Sequence, residues 1–489
     1  MVVDGRILLI GGQVYKDPDE FYQRLTGAIQ TYDPVADRWS ILGQLPYTLK
    51  IPVAGRLGDR LFVVAGQRGS RPDGDRPDEI TRETLTTTLP KASAPRVRDS
   101  AGYAGRKILL VSHDLSRSGA PLLLLETAQA LMECGATVRL ATAADDVKGW
   151  NLACQFGVPL IPIEDAIAVA VASDAVIANT ASDLTAAWVR RCLASNPFVG
   201  QRLVWWVHEI DVEMFSHAAG LLHLAALAIF DSAAARSAWQ AAAALPPRVH
   251  VMHPPLSDGF IEQTDRASLP FPARPQARRQ RPVVLGRDDI RRRLGVSKDD
   301  FVLLCVGSFE PRKGQRMLID SIARLAAARK LPIKLLIVGM HGRRDRSALL
   351  KELTQDERAV LSPARTYVQQ SAIASFYLAS DAFVMNSQGA AQGRGEAFGR
   401  VTTEAMAFGL PVLGTSAGGT AEIIEHGVTG YLYPTGEAGQ PELQRHVEAL
   451  ARDRSLARRL GAAGRTSALA RFRQGELLSE LAEALRVVW

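Results

Sequence analysis

The chain has 489 residues, of which 47% are hydrophobic and 22% are charged, a balance typical of globular proteins and unlike that of disordered or fibrous chains. At about 150 residues per domain, this length predicts about three compact units. The net charge of +7 is small for so long a chain and does not predict a nucleic-acid partner. A basic excess suits an enzyme that handles diphosphates or works beside an anionic membrane, and equally a solvated face.

The cysteines and the amino terminus bear on the compartment. Four scattered cysteines without a CxxC pair indicate reduced thiols and a reducing compartment. The start, MVVDGRILLIGG, lacks the basic residues and long apolar core of a signal peptide, and no apolar stretch reaches the ~20 residues that span a bilayer. We therefore predict a cytoplasmic protein and leave open both peripheral association with the inner face of a membrane and the oligomeric state.

Residues 1–68 have the pattern of short strands separated by turns. The residues that resemble one kelch repeat are Gly11-Gly12, the Tyr32-Asp33-Pro34 turn and Trp39, and Gly66-Gln67 resembles the start of another. A propeller closes only with several blades, because each blade buries its faces against two neighbours. One and a half repeats therefore predict a truncated or edge-protected remnant rather than a working kelch module.

Residues 69–103 are rich in Pro, Asp, Arg, Ser and Thr and predict a linker. From residue 104, apolar runs such as RKILLVSHD and LVWWVHE alternate with amphipathic stretches, and the scheme restarts at FVLLCVGS after an Arg/Pro-rich stretch. Strands that alternate with helices predict parallel sheets covered on both faces. We expect an α/β fold with two Rossmann-like, doubly wound domains that face each other across a cleft. The first domain is predicted over 104–283 and the second over 284–473. A last helix, over 474–489, is expected to cross back onto the first domain.

A lysine-bearing loop opens the second of these domains, in the segment VGSFEPRKGQRML. Gly307 ends a predicted buried strand, and Lys313 comes just before a predicted helix. A cation and the free N–H groups of a helix start suit an anion such as a diphosphate. Taken alone, the segment fits an ordinary surface loop equally well.

The most specific segment is GEAFGRVTTEAMAFGLP, in which seven residues separate Glu396 from Glu404. Glu396 lies in a loop, Gly399 lies near a helix start, and Glu404 lies inside the helix. Both carboxylates can then face one cleft and accept hydrogen bonds from sugar and ribose hydroxyls. Glu404 alone also fits a residue that stabilises the helix dipole, but that role does not explain the whole segment.

These segments, with the following GGTAEIIEHGVTGYLYP, closely resemble the retaining glycosyltransferase family four, which has the GT-B fold. The resemblance runs from about Lys107 to Arg473. It implies that Glu396 contacts the transferred sugar, that Glu404 binds the nucleotide ribose and that Lys313 neutralises the donor diphosphate.

One position departs from the family pattern. Many members carry an arginine directly after the strand-end glycine, whereas this chain has Ser308. The missing cation weakens the expected stabilisation of the diphosphate. Arg312, in the same loop, is expected to supply part of that charge.

Two positions in the first domain also match the family. The segment SHDLSRSGAP places Gly119 at a strand-to-helix turn, which in the family faces the donor phosphate and the acceptor; a plain turn is the alternative. The segment LVWWVHE ends a predicted strand at His208, near the position of a family histidine beside the reacting sugar. A lone histidine is more often structural, but we favour a role for His208 as an orienting or electrostatic residue.

The resemblance thus implies a retaining enzyme that moves a sugar from a nucleotide-diphosphate sugar to a glycan or glycolipid hydroxyl, in cell-envelope polysaccharide or glycoconjugate synthesis. We predict no cofactor and no metal, because the sequence shows no carboxylate or histidine cluster at ligand spacing. The predicted catalytic residues are Glu396, Lys313 and His208. The predicted donor-binding residues are Glu404, Arg312, Gly307, Ser308, Gly119, Phe398, Gly399 and Arg400.

Two alternatives stay open. A sugar-nucleotide epimerase of GT-B type would release epimerised donor or free sugar without any acceptor. A kelch-type binding protein with an inactive transferase-like body would use no nucleotide sugar at all, although the intact Glu396–Glu404 segment argues against it. A dehydrogenase is disfavoured, because neither domain has GxGxxG after its first strand.

Overall fold

The computed structural model describes the backbone of eight strands within residues 2–88 and, further along the chain, residues 102–116, 118–144, 152–153, 156–271, 283–339, 349–361, 373–388 and 395–489. Contacts divide the chain into two compact units. The first comprises residues 1–206, 224–226 and 482–489, and the second comprises 207–223 and 227–481.

The first unit begins with two antiparallel sheets. Their strands are β1 (Val2–Val3), β2 (Arg6–Lys16), β3 (Gln23–Asp33), β4 (Arg38–Gln44), β5 (Leu49–Lys50), β6 (Val53–Leu57), β7 (Arg60–Gly69) and β8 (Pro77–Thr88). One sheet has the order β1-β2-β3-β4, and in the other β7 pairs with β5, β6 and β8. Strand β8 lies within the predicted linker, where its many threonines, which are β-branched, favour extended backbone. The kelch interpretation of this region stays a prediction.

A parallel sheet forms the rest of the first unit. Its elements are β9 (Lys107–Ser112), α1 (Gly119–Glu133), β10 (Thr137–Thr142), α2 (Ala166–Ala172), β11 (Ala175–Asn179), α3 (Asp183–Ser195) and β12 (Leu203–Val207). Within the first unit the strand order is β10-β9-β11-β12, and these pairs are all parallel. The last residue of β12, Val207, is assigned to the second unit. Residues 108–111 of β9 are at most 1% exposed, which fits a strand covered on both faces.

The carboxyl-terminal residue packs against residues that come just before β9 in this unit. The ring of Trp489 packs edge-to-face against Tyr103, with 5.8 Å between ring centroids. The guanidinium of Arg106 lies 4.8 Å from the centroid of the same indole, in cation–π geometry. These contacts fix the last residue of the chain beside the strand that starts the parallel sheet.

The second unit contains the remaining elements. They are α4 (Ser216–Ala219), β13 (Leu227–Phe230), α5 (Ala233–Ala242), β14 (Val249–Val251), α6 (Asp258–Thr264), β15 (Ser268–Phe271), β16 (Val283–Gly286), α7 (Arg287–Arg293), β17 (Phe301–Val306), α8 (Gln315–Arg329), β18 (Ile333–Val338), α9 (Gln355–Val360), α10 (Ile373–Ala379), β19 (Ala382–Met385), α11 (Arg400–Ala407), β20 (Val412–Thr415), α12 (Thr420–Ile423), β21 (Gly430–Tyr433), α13 (Gln440–Arg452), α14 (Arg454–Arg471) and α15 (Gln474–Leu485). Helix α15 ends within the last segment of the first unit.

The main sheet of this unit is parallel, in the order β18-β17-β19-β20-β21. Alternate residues of β17 enter two different cores: Val302, Leu304 and Val306 pack on one side, and Phe301, Leu303 and Cys305 on the other. Helices therefore cover both faces, which explains why the sequence of β17 is continuously apolar. Among the residues that the structure describes, no helix is both long enough and apolar enough to cross a bilayer.

Candidate active site

The carboxyl end of β17 forms the first part of the site. Since β18 and β19 pair with opposite edges of β17, the loop after this strand lies at the switch point of the sheet, where open α/β sheets bind ligands. Gly307 follows the strand, and Pro311–Lys313 forms a 3₁₀ turn ahead of α8. Gly314 has a φ of 64°, and a Cβ there would lie 2.4 Å from the carbonyl oxygen of Asn386. Only glycine therefore fits the turn that presents Lys313.

Lys313 forms a buried ion pair with Glu396. The Lys313 ammonium donates to Oε2 of Glu396, and the two side chains are 14% and 17% exposed. Ser387 donates its hydroxyl to the same oxygen at 2.8 Å. Although burial raises the pKa of Glu396, the charges of Lys313 and Arg312 and these hydrogen bonds lower it overall to about 2. Glu396 is therefore a carboxylate at every physiological pH.

A second charged group adjoins this pair. Arg312 Nη1 lies 3.8 Å from Oε1 of Glu396, and Arg312 Nε donates to Glu310 Oε2 at 2.7 Å. Ser308 donates its hydroxyl to the other oxygen of Glu310. Burial raises the pKa of Glu310, but the bonds from Ser308 and Arg312 lower it overall. Glu310 therefore holds Arg312 in place beside Glu396, and Ser308, at the position of the family arginine, helps to hold Glu310.

Glu404, on α11, has its own polar partners, which differ from those of Glu396. Gly399, with a φ of 90°, directly precedes the helix, and Glu404 is 7% exposed one turn further on. Its Oε2 accepts a hydrogen bond from the Tyr377 hydroxyl at 2.8 Å. Its Oε1 lies 3.6 Å from Arg400 Nε. These two partners fix the rotamer of the carboxylate, and the pKa of the Tyr377 phenol is raised because it is buried beside that charge.

His208, directly after β12, forms a close pair with Asp231. Its Nδ1 lies 2.8 Å from Oδ2 of Asp231, and both side chains are only 7% exposed. Burial lowers the pKa of His208, but the charge and hydrogen bond of Asp231 raise it above its ordinary value overall. The imidazole is therefore held in one orientation, with Nδ1 directed at the carboxylate.

The raised pKa gives a testable pH dependence. The pKa of His208, followed by NMR titration, should exceed 6.5 in the wild type and should fall in Asp231→Asn, which removes the carboxylate. Since the folded-state pKa is the higher one, the pair stabilises the fold fully below about 6.5 and loses its effect as the pH rises through the folded value. Urea unfolding should accordingly show a larger stability deficit of Asp231→Asn at pH 6 than at pH 9. Equal titration of His208 in both proteins would refute the pairing.

Of the predicted site residues, Lys313, Arg312 and Glu396 are brought together at one spot by hydrogen bonds and charge. Ser308 joins that group through Glu310. Glu404 and Arg400 form a second group, and His208 forms a third.

The ring of Phe398, 2% exposed, stacks on His253 at 5.3 Å between centroids. Gly119 belongs to the other unit, where it begins α1 and a Cβ would meet no atom within 4 Å.

Several polar partners were missed in the sequence. Ser387 and Asp231 each follow a buried strand, β19 or β13, so the rule that strand ends carry ligands could have found them. Glu310 and Tyr377 carry no such signal, since Glu310 looks like an ordinary loop acid and Tyr377 lies inside a helix. Over the ranges described, no three His, Cys, Asp or Glu side chains are grouped so that they could hold a metal ion.

Comparison with known proteins identifies the domains. A family model described as "Glycosyl transferases group 1" matches residues 286–467, and one described as "Glycosyl-transferase family 4" matches residues 104–258. The chain therefore carries two glycosyltransferase domains. Lys313, Arg312 and Glu396 lie within the first of these matches, and so does Glu404.

Two curated relatives align with parts of these domains. N-acetyl-alpha-D-glucosaminyl L-malate synthase of Bacillus anthracis is 28% identical over 193 residues, 39% of this chain and 46% of that protein. Lipopolysaccharide 1,2-N-acetylglucosaminetransferase of Salmonella typhimurium is 32% identical over 155 residues, 30% of this chain and 38% of that protein. The chain thus spans less than half the length of each of these two relatives.

A solved structure covers a larger share. HepE of Anabaena, crystallised with UDP and glucose, matches with a TM-score of 0.62 at 22% identity, over 78% of this chain and 99% of HepE. At this identity the match establishes the fold alone. The predicted α/β class with two Rossmann-like domains of GT-B type is confirmed.

Proposed function

We propose that the protein is a retaining glycosyltransferase that moves a sugar from a nucleotide-diphosphate sugar to an acceptor hydroxyl. The observation that carries the proposal is the grouping of Lys313, Arg312 and Glu396 at the carboxyl end of β17. Two cations and an ionised carboxylate at a sheet switch point suit a ligand that joins a diphosphate to a sugar. The glycosyltransferase domain that contains these residues supports the same reading.

Each residue then has a role in bond breaking. The bond between the anomeric carbon and the diphosphate oxygen breaks, so positive charge grows on the sugar and negative charge on the leaving group. Lys313 and Arg312 stabilise the leaving diphosphate, because preorganised cations act strongly in a partly buried site. Glu396 accepts hydrogen bonds from the sugar hydroxyls and Glu404 from the ribose. The acceptor oxygen bonds to the anomeric carbon and its proton passes to the leaving phosphate, while His208 orients or stabilises the reacting sugar.

The relatives support a choice of donor and acceptor to test. HepE is described as binding UDP and glucose, so UDP-glucose is the first donor to test. The Salmonella relative is named for lipopolysaccharide, which supports an acceptor in cell-envelope polysaccharide or glycoconjugate synthesis. The described cysteines, Cys134, Cys192 and Cys305, are all free, which suits a cytoplasmic enzyme. We also propose that the amino-terminal sheets are a kelch-like remnant.

A thermal-shift screen against UDP-, GDP- and ADP-sugars tests the proposal. A donor at about a hundred times its Kd should raise Tm by roughly 5 °C, because a ligand that binds only the folded state stabilises it. Product analysis of the best donor, with and without a hydroxylated acceptor, then separates transfer from epimerisation. No shift with any nucleotide sugar would favour a binding protein with an inactive transferase body, and epimerised donor without acceptor would favour the epimerase.

A further inference from the structure

Glu422, on α12, accepts hydrogen bonds with both carboxylate oxygens from the start of α5. Its Oε2 accepts a hydrogen bond from the backbone N–H of Ala233 at 3.0 Å, and its Oε1 accepts one from Ala234 at 2.8 Å. Burial raises the pKa of Glu422, but the bonds from His253 and from these two N–H groups lower it overall. A carboxylate at a helix start satisfies N–H groups that lack partners within the helix. Glu422 therefore anchors the first turn of α5.

The residues just before the anchored turn include Asp231, the partner of His208. Asp231, which holds His208 Nδ1, lies two residues before Ala233, and α5 begins directly after Ser232. Further along α5, the indole N–H of Trp239 donates to the carbonyl oxygen of Glu209 at 2.9 Å. His208 is thus held by Asp231, just before α5, and its neighbour Glu209 is held by Trp239, within α5.

The other side of Glu422 is fixed to the Glu396 loop. The N–H of Gly419, just before α12, donates to the Glu396 carbonyl oxygen at 2.9 Å. A Cβ on Gly419 would lie 2.2 Å from the carbonyl oxygen of Ala397, so the two segments are in close backbone contact. His253 Nε2 lies 3.3 Å from Glu422 and its ring stacks on Phe398. The position of α12 is therefore set by the loop that carries Glu396.

We propose that Glu422 is a positioning residue that ties the His208–Asp231 pair to the loop of Glu396 and Phe398. The inference rests on the proposed function, in which His208 and Glu396 act on the reacting sugar. The described hydrogen bonds of the Glu422 carboxylate go to Ala233, Ala234 and His253, and not to Lys313 or Arg312, the residues proposed to bind the diphosphate. Glu422 consequently acts on the geometry of transfer and not on the affinity for the nucleotide.

Glu422→Ala is expected to lower kcat by about tenfold to a hundredfold, since small displacements of reacting groups have effects of that size. The Kd for UDP should change by less than about twofold, as for independent sites. The matched control is Asp453→Ala, which removes a carboxylate that accepts N–H bonds from Ser455 and Leu456 at the start of α14. The control should lower stability and leave kcat unchanged.

A double-mutant cycle separates positioning from general destabilisation. In a His208→Ala background, Glu422→Ala should cost kcat less than about twofold, because its effect passes through His208. Glu422→Gln, which keeps one acceptor oxygen, should recover part of the loss. Equal costs in both backgrounds, or an unchanged kcat in the single variant, would overturn the inference while the transferase function stands.

A second measurement needs no turnover. The imidazole signals of His208 in NMR spectra should move in Glu422→Ala and stay in place in Asp453→Ala. Unmoved His208 signals would overturn the positioning role. If the wild type transferred sugar from no nucleotide donor, the proposed function would fail and the NMR result would decide the structural link.

Discussion

Lys313→Ala should lower kcat for sugar transfer by about a hundredfold to a thousandfold, the range found when one preorganised donor to a developing negative charge is removed. The side chain of Lys313 is 14% exposed beside Glu396, so its ammonium acts in a partly buried site where charge is weakly screened. Steady-state kinetics with the best donor measure the effect. Lys351→Ala, which removes an exposed lysine of the same unit, is the control. Full activity of Lys313→Ala would remove the basis of the proposed mechanism.

The same substitution should have a pH signature in stability. The pKa of Glu396 is lowered to about 2 in the folded protein, so its ion pair stabilises the fold above the ordinary value of 4.5 and loses that effect as the pH falls towards 2. Lys313→Ala should thus be destabilised most near neutral pH and little near pH 2. Urea unfolding at several pH values measures this difference. A deficit independent of pH would mean that lost packing, and not lost charge pairing, dominates.

Glu404→Ala should raise the KM for the nucleotide sugar by about tenfold to a hundredfold, as expected for the loss of hydrogen bonds to a charged group. The variant also leaves the buried Tyr377 hydroxyl without its carboxylate partner. Tyr377→Phe, which removes only that hydroxyl, should give a smaller rise in KM because Glu404 keeps its charge. Titration calorimetry with UDP provides the Kd for each protein.

A control distinguishes binding from stability in that series. Glu448→Ala removes a glutamate on α13 that pairs with Arg452 at 2.9 Å and has no place in the proposed site. It should leave KM unchanged. Unchanged donor affinity and full transfer in Glu404→Ala would show that the ribose assignment is wrong.

Much of the fold follows from local sequence pattern. The apolar run FVLLCVGS predicts a strand buried on both faces, and β17 is that strand, because a parallel strand between two helix layers needs apolar side chains on both sides. β8 shows where this fails. Its polar, threonine-rich sequence resembles a linker, and only its pairing with β7 reveals a strand.

The meeting of Lys313 and Glu396, 83 residues apart, was also within reach of the sequence. The sequence placed Lys313 in the loop after a buried strand and Glu396 in a loop before a helix, and it predicted that both face one cleft, since ligands of open parallel sheets bind beyond the carboxyl ends of the strands. The sequence placed His208 at a strand end by the same argument. It did not predict Asp231 as the partner of that histidine.

By itself, then, the sequence determined the two α/β domains, the lysine-bearing turn and the glutamate segment, because hydrophobic period and glycine placement are local properties of the chain. Only the tertiary structure decided which groups hold Glu404, His208 and Arg312 in place, and that Glu422 anchors α5. Those contacts depend on how closely elements far apart in sequence approach one another. A hydrogen bond forms only within about 3 Å, and no local pattern encodes so short a distance.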